Sequence, residues 1–269
     1  MKINGVNYNV TLRGHGDPLL LLHGFTGSAA TWTAHVNWFS GYFTVITVDL
    51  LGHGATDAPM EVERYGIDRA AADLRAILTA CSVENPHLLG YSMGGRLALR
   101  YALNHPVRSL ILESASPGIA DDAERLARRQ ADETLAVQIE RDGVARFVDY
   151  WQALPLFATQ ARLPETTREQ VRQQRLGNRP LGLANSLRGM GTGVQPSYWA
   201  RLGGLELPTL LLCGALDAKY VEIARAMVKP LRRGRVAVAP DAGHTIHLEQ
   251  PNFFRDEVLR FIRDSERRR

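Results

Sequence analysis

The sequence has little sulfur and little lysine. Among 269 residues there are two cysteines, Cys81 and Cys213, and three lysines, Lys2, Lys219 and Lys229. Two cysteines cannot build a disulfide framework, so the expected setting is a reducing, bacterial-type cytoplasm. Long apolar runs are missing too. The longest aliphatic run is Leu19–Leu22, against the ~20 residues of a membrane helix, so no membrane association is expected. Met1-Lys2-Ile3-Asn4-Gly5 leads straight into strand-like alternation, with no apolar secretory segment. Charge is nearly balanced at +4, and no dense Lys/Arg block with interleaved aromatics marks a nucleic-acid binder. Metal-ligand spacing, a phosphate loop and a dinucleotide fingerprint are all absent, which implies no metal and no cofactor. There is no internal repeat, linker or low-complexity tract, and nothing marks an oligomer interface.

What is present is an ordinary globular composition, 45% hydrophobic and 22% charged, which excludes a disordered, collagen-like or coiled-coil chain. The length suits one large domain, or one domain with an insertion. Continuous apolar runs at Leu19–Leu22, Thr44–Val48, His87–Gly90, Ser109–Leu112, Pro208–Cys213 and Arg235–Val238 read as strands. Val6–Leu12 alternates like a further strand. Helical spacing marks Asp68–Cys81, with Asp68 as a candidate cap, and also Gly94–Asn104, Val221–Val228 and Phe253–Ile262. Strands of this kind separated by helices imply a mostly parallel sheet covered on both faces, the α/β class. Residues 117–200 break the rhythm: they show no clear strand and carry 11 of the 29 arginines. This stretch reads as a helical lid inserted into a core of residues 1–116 and 201–269. Arg267–Arg269 reads as a solvated tail.

Gly90-Tyr91-Ser92-Met93-Gly94 is a Gly-x-Ser-x-Gly element between a predicted strand and a predicted helix, the setting of a nucleophile elbow. A serine that reacts needs a histidine, and the histidine needs an orienting carboxylate. Asp217 and His244 follow the last two predicted strands, and the order Ser92, Asp217, His244 fits the α/β-hydrolase arrangement. Asp217 could instead cap the following helix, His247 is a rival base, and Glu113 is a rival acid. Asp241 reads as a turn residue. The loop His23-Gly24-Phe25-Thr26-Gly27 follows the Leu19–Leu22 strand, so the N–H groups of Phe25 and Met93 are the expected oxyanion hole. His23 reads as a hydrogen-bonded loop residue, and Asp49–Gly54 as a tight structural loop. Arg96, one helical turn after Ser92, is aimed along the same face, where it could bridge lid and core.

These residues resemble the α/β-hydrolase family over essentially the whole chain. More narrowly, Gly90-Tyr91-Ser92-Met93-Gly94-Gly95-Arg96 is similar to the elbow of the 2-succinyl-6-hydroxy-2,4-cyclohexadiene-1-carboxylate (SHCHC) synthases, the MenH enzymes of menaquinone biosynthesis. The lid stretches Ala123–Asp132, Trp151–Phe157, Leu183–Gly193 and Gln195-Pro196 are similar to that family as well. The resemblance implies a lyase acting on a small polycarboxylate. It would remove pyruvate from 2-succinyl-5-enolpyruvyl-6-hydroxy-3-cyclohexene-1-carboxylate (SEPHCHC) by 2,5-elimination, with Ser92 as base rather than acylated nucleophile. It also implies that Arg96 binds a substrate carboxylate and that Arg128, Trp151 and Arg175 line the pocket from the lid; Arg125 and Arg129 are close rivals of Arg128, and Tyr91 either contributes its hydroxyl to the pocket or packs beneath it. The elbow alone leaves open a carboxylesterase, a carbon–carbon bond hydrolase or a non-catalytic ligand-binding member of the fold. The arginines in the matching lid positions argue against the hydrolases, and the presence of Ser92, Asp217 and His244 together argues against the non-catalytic member.

Overall fold

The computed structural model describes residues 1–267. Its elements run in chain order as β1 (Lys2–Ile3), β2 (Val6–Asn7), β3 (Val10–Arg13), β4 (Pro18–Leu22), α1 (Thr33–Phe39), β5 (Thr44–Val48), α2 (Ile67–Ala80), β6 (His87–Tyr91), α3 (Met93–Ala102) and β7 (Ser109–Glu113). A purely helical stretch follows: α4 (Asp122–Gln152), α5 (Glu165–Leu176) and α6 (Pro180–Met190), with a 3-10 segment at Pro155–Arg162. The chain then returns to the sheet with β8 (Thr209–Gly214), α7 (Ala218–Val228), β9 (Gly234–Ala239), α8 (Ile246–Glu249) and α9 (Pro251–Arg267). Arg267 closes α9; Arg268 and Arg269, and with them most of the expected tail, lie outside the described residues.

Seven strands form one sheet in the order β3-β5-β4-β6-β7-β8-β9. Only β3 runs antiparallel to its neighbour. Side chains alternate across each strand, and the sequence supplies apolar residues to both faces. Leu20, Leu22, Ile46 and Val48 meet α2, α3 and α7 through Leu74, Ile77, Leu97 and Met227. Leu19, Leu21 and Val45 meet α1 and α9 through Phe39, Phe254, Val258 and Ile262. This double burial explains why the strands read as unbroken apolar runs. The helical stretch between β7 and β8 has a smaller core of its own, where Ala136, Ile139, Phe147 and Val148 of α4 pack on Leu183, Ala184 and Leu187 of α6. Among the described residues no helix is long and apolar enough to cross a membrane.

Two local expectations are corrected. Val6–Leu12 is not one strand but β2 and β3, broken where the Tyr8 hydroxyl donates to Asp73 at 2.6 Å and the Asn9 N–H donates to Thr56 Oγ1. Asp68 does not cap α2. The helix begins one residue earlier, after Gly66, and Asp68 pairs with Arg100 of α3 instead.

Candidate active site

β6 delivers its last residue, Tyr91, to the edge of the sheet, and Ser92 turns the chain into α3 with φ 49° and ψ −109°. A non-glycine residue in that region is strained. It is held there by its own N–H on the Glu113 carbonyl and by the Arg96 N–H on its carbonyl. The close quarters explain the flanking glycines. A Cβ at Gly90 would collide with the Gly94 carbonyl, and one at Gly94 would collide with the Leu22 and His23 carbonyls. The open N-terminus of α3 faces the serine, contributing free N–H groups and a partial positive charge.

The loops after β8 and β9 bring in the partners. His244 Nδ1 lies 2.7 Å from Asp217 Oδ2, and Nε2 lies 3.1 Å from Ser92 Oγ. An ionised carboxylate only accepts, so Nδ1–H donates to Asp217 and Nε2 is left to accept the serine proton. Asp217 and His244 are buried, 9% and 2% exposed. Asp217 also caps α7, its Oδ1 accepting from the Tyr220 N–H at 3.5 Å, so the cap and the contact with His244 coexist. The rivals are engaged with each other: His247 Nδ1 is 2.8 Å from Glu113 Oε1, both fully buried, and among the described residues neither side chain bonds to the side chain of Ser92 or His244. Asp241 has φ 54°, as a turn residue does.

The β4 loop lies directly over the elbow, since a Cβ at Gly24 would sit 3.5 Å from Ser92 Cβ. His23 holds this loop: Nδ1 donates to the Gly24 carbonyl and Nε2 accepts from the Leu50 N–H. Burial lowers its pKa, which keeps the ring neutral for this dual role. Among the described residues no protein acceptor takes the N–H of Phe25 or of Met93.

Above Ser92 is a chamber of about 110 Å³, lined by Ser92, His244, Arg96, Arg128, Trp151 and Tyr220 among others. Arg96 is 8% exposed. Its Nη1 donates to the Met190 carbonyl at 2.8 Å and to Gln195 Oε1 at 2.7 Å, so it does bridge to the inserted helices. Both acceptors are neutral. A buried guanidinium that makes no ion pair among the described residues is costly to desolvate, and burial brings its pKa down to about 10. Arg128 reaches the same chamber from α4 while its Nε pairs with Asp132 at 2.8 Å. Arg125 turns to Asp122 instead. Trp151 stands edge-on to Phe25, and its buried indole N–H has no partner among the described residues.

Arg175 does not join Arg96 and Arg128. It lines a second cavity of about 650 Å³, on the other side of Phe157, with its guanidinium 5.1 Å from that ring. Tyr91, Phe25 and Phe157 line both cavities. The Tyr91 ring packs 4.8 Å from His247 and 5.5 Å from His244. Sequence reasoning did not single out Tyr220, whose ring is 4.6 Å from that of His244, or Phe157 at 6.1 Å. Tyr220 carried one readable signal, its place three residues after Asp217 in the first turn of a helix.

The alpha/beta hydrolase fold family matches residues 17–251. A Bacillus subtilis protein provisionally named 2-succinyl-6-hydroxy-2,4-cyclohexadiene-1-carboxylate synthase is 43% identical over 263 residues, 96% of each chain. The Serratia proteamaculans protein of that name is 32% identical over 91% of this chain and 92% of its own. Among solved structures, MenH from S. aureus superposes with a TM-score of 0.92 at 38% identity, covering 96% of this chain and 98% of that one.

Proposed function

The chain belongs to the alpha/beta hydrolase fold family, and within it to the 2-succinyl-6-hydroxy-2,4-cyclohexadiene-1-carboxylate synthases; from this we propose that it is a carbon–oxygen lyase releasing pyruvate from SEPHCHC to give SHCHC in menaquinone biosynthesis. Its partner is then a small polycarboxylate and its setting the cytoplasm. Residues 117–200 are the lid, closing over a core of 1–116 and 201–269. One observation carries the choice of substrate: the buried guanidinium of Arg96, hydrogen-bonded only to neutral acceptors among the described residues, shares a chamber with the Ser92–His244 pair. An apolar ester would leave it without an ion pair, whereas a substrate carboxylate supplies one.

In this reading Ser92 gives its proton to His244 Nε2 and takes the proton α to the succinyl ketone. The electron pair of the broken C–H bond forms the enolate, whose oxygen is held by the N–H groups of Phe25 and Met93. Collapse of the enolate breaks the ring C–O bond and expels enolpyruvate, which takes up a proton on carbon to become pyruvate. Ser92 keeps the proton taken from the substrate, and the proton stored on His244 is the one passed to enolpyruvate, so both groups return to their starting states. Asp217 fixes the tautomer of His244 and stabilises its imidazolium. Arg96 and Arg128 bind carboxylates in the serine chamber, Trp151 offers its unpaired N–H, Tyr91 floors the chamber, and Arg175 takes a carboxylate reaching past Phe157. A serine alkoxide base requires a dry chamber, which the lid provides when closed over Ser92.

The test is a coupled assay of pyruvate release from the enolpyruvyl substrate, run beside p-nitrophenyl acetate and butyrate. Fast pyruvate release with slow ester turnover is expected. Fast ester turnover without pyruvate release would assign the site to a serine esterase instead.

A further inference from the structure

We propose that Glu249, Thr245 and Gln160 are positioning residues that clamp the His244 loop and make its placement depend on the seating of the 155–162 segment. The proposal rests on the reading above only in taking His244 as the base. His244 sits between β9 and α8, in a stretch without regular structure, and such loops drift unless tied down. The ties are on its two chain neighbours. Glu249 accepts from the Gly243 N–H at 2.8 Å with one oxygen and from the Thr245 N–H at 3.2 Å with the other. One carboxylate thus spans the backbone on both sides of the catalytic ring.

The second half of the clamp comes from the inserted helices. The Thr245 hydroxyl donates to Glu249 Oε1 at 2.7 Å and accepts from Gln160 Nε2 at 3.0 Å. The donor order is fixed, because the carboxylate can only accept and the amide nitrogen can only donate. Gln160 is buried, and its Oε1 accepts from the Arg175 guanidinium at 3.4 Å. A directed chain therefore runs from Arg175 through Gln160 and Thr245 to Glu249, from a buried cation to the carboxylate that holds the loop. Packing reinforces it. A Cβ on Gly243 would collide with the Thr159 side chain, so the 3-10 segment rests on the residue before His244. With that segment displaced, Thr245 loses one of its two hydroxyl bonds and the Gly243 side of the loop loses its cover. The Nε2–Ser92 alignment is then no longer enforced from above.

The test needs a readout of His244–Ser92 alignment that ignores the natural substrate. The rate at which a fluorophosphonate probe labels Ser92 provides it. Gln160→Leu removes the amide bond to Thr245 and Thr245→Val removes both hydroxyl bonds of the clamp, and either is expected to slow labelling by about five- to tenfold. kcat should fall by a similar factor with KM nearly unchanged, and Tm should move by only a few degrees. The double variant should be no slower than the worse single, because both break one chain. Wild-type labelling rates in both singles, or losses that multiply in the double, would overturn the proposal. If Gln160→Leu does not fold, Thr245→Val, close in shape to the native residue, decides alone: unchanged labelling in it refutes the clamp. Slowed labelling in a protein that releases no pyruvate would uphold the clamp and remove the lyase reading, so the two failures are distinguishable.

Discussion

Replacing Arg96 by methionine separates its role in the folded protein from its role toward substrate. In the free protein, two acceptors, the Met190 carbonyl and Gln195 Oε1, would lose a donor, at about 1–3 kcal/mol each if left unpaired. Against this, the fold would no longer bury a guanidinium whose hydrogen-bond acceptors are both neutral, and that relief is of comparable size. Methionine fills much of the volume and is adaptable. The net change in stability is therefore small, about 1 kcal/mol either way, or about 2–4 °C in Tm for a chain of this length. The substrate has no such compensation. One charge-assisted hydrogen bond to a carboxylate contributes about 1.5–3 kcal/mol, so kcat/KM should fall by about 10- to 150-fold. Scanning calorimetry and the coupled pyruvate assay read the two effects. A kcat/KM within threefold of the parent, with the fold intact, would refute the reasoning.

Four further outcomes are expected. Ser92→Ala should lower kcat by at least about 10³-fold with Tm unchanged within a few degrees, by calorimetry and the pyruvate assay. Asp217→Asn should lower kcat on the order of 10³–10⁴-fold, because the amide permits the wrong His244 tautomer while keeping the shape. Gly94→Ala should cost about 1–3 kcal/mol, or about 2–12 °C in Tm, and impair fluorophosphonate labelling, since the added Cβ meets backbone carbonyls that cannot yield. Acid should destabilise the fold well above the range where carboxylates protonate. Burial holds His35 and His53 down to about 3 and lowers His23 as well, while in the unfolded chain each titrates near 6.5. Below pH 6.5 the unfolded state takes up protons that the folded state refuses. Each histidine then removes up to about 1.4 kcal/mol per pH unit. A melting series from pH 7 to 5 should fall steadily, and a flat series would show that these rings accept protons in place.

The sheet was legible because its strands are buried on both faces. Leu19–Leu22 and Leu210–Leu212 are apolar at every position, and no amphipathic helix presents that pattern. The elbow and its two partners were legible because chemistry and sterics restrict them to few residue types: small residues around Ser92, and His244 and Asp217 just past strand ends. What escaped depends on long-range contact. Nothing local in Val6–Leu12 says that Tyr8 leaves the alternation to reach Asp73, 65 residues away. The reading of Glu113 and His247 as separate rivals could not anticipate that they satisfy each other across 134 residues. Helical spacing placed Arg96 correctly, since one turn of α3 fixes it relative to Ser92. The same logic had no purchase on Arg175, whose position behind Phe157 depends on how α5 packs over the 3-10 segment.

The central claim is that Ser92, with His244, removes a proton from carbon. The direct measurement is a single-turnover rate with substrate deuterated α to the succinyl ketone, compared with the protiated substrate. Severalfold slower pyruvate formation from the deuterated substrate is predicted. Equal single-turnover rates, or trapping of an acyl group on Ser92, would contradict the account.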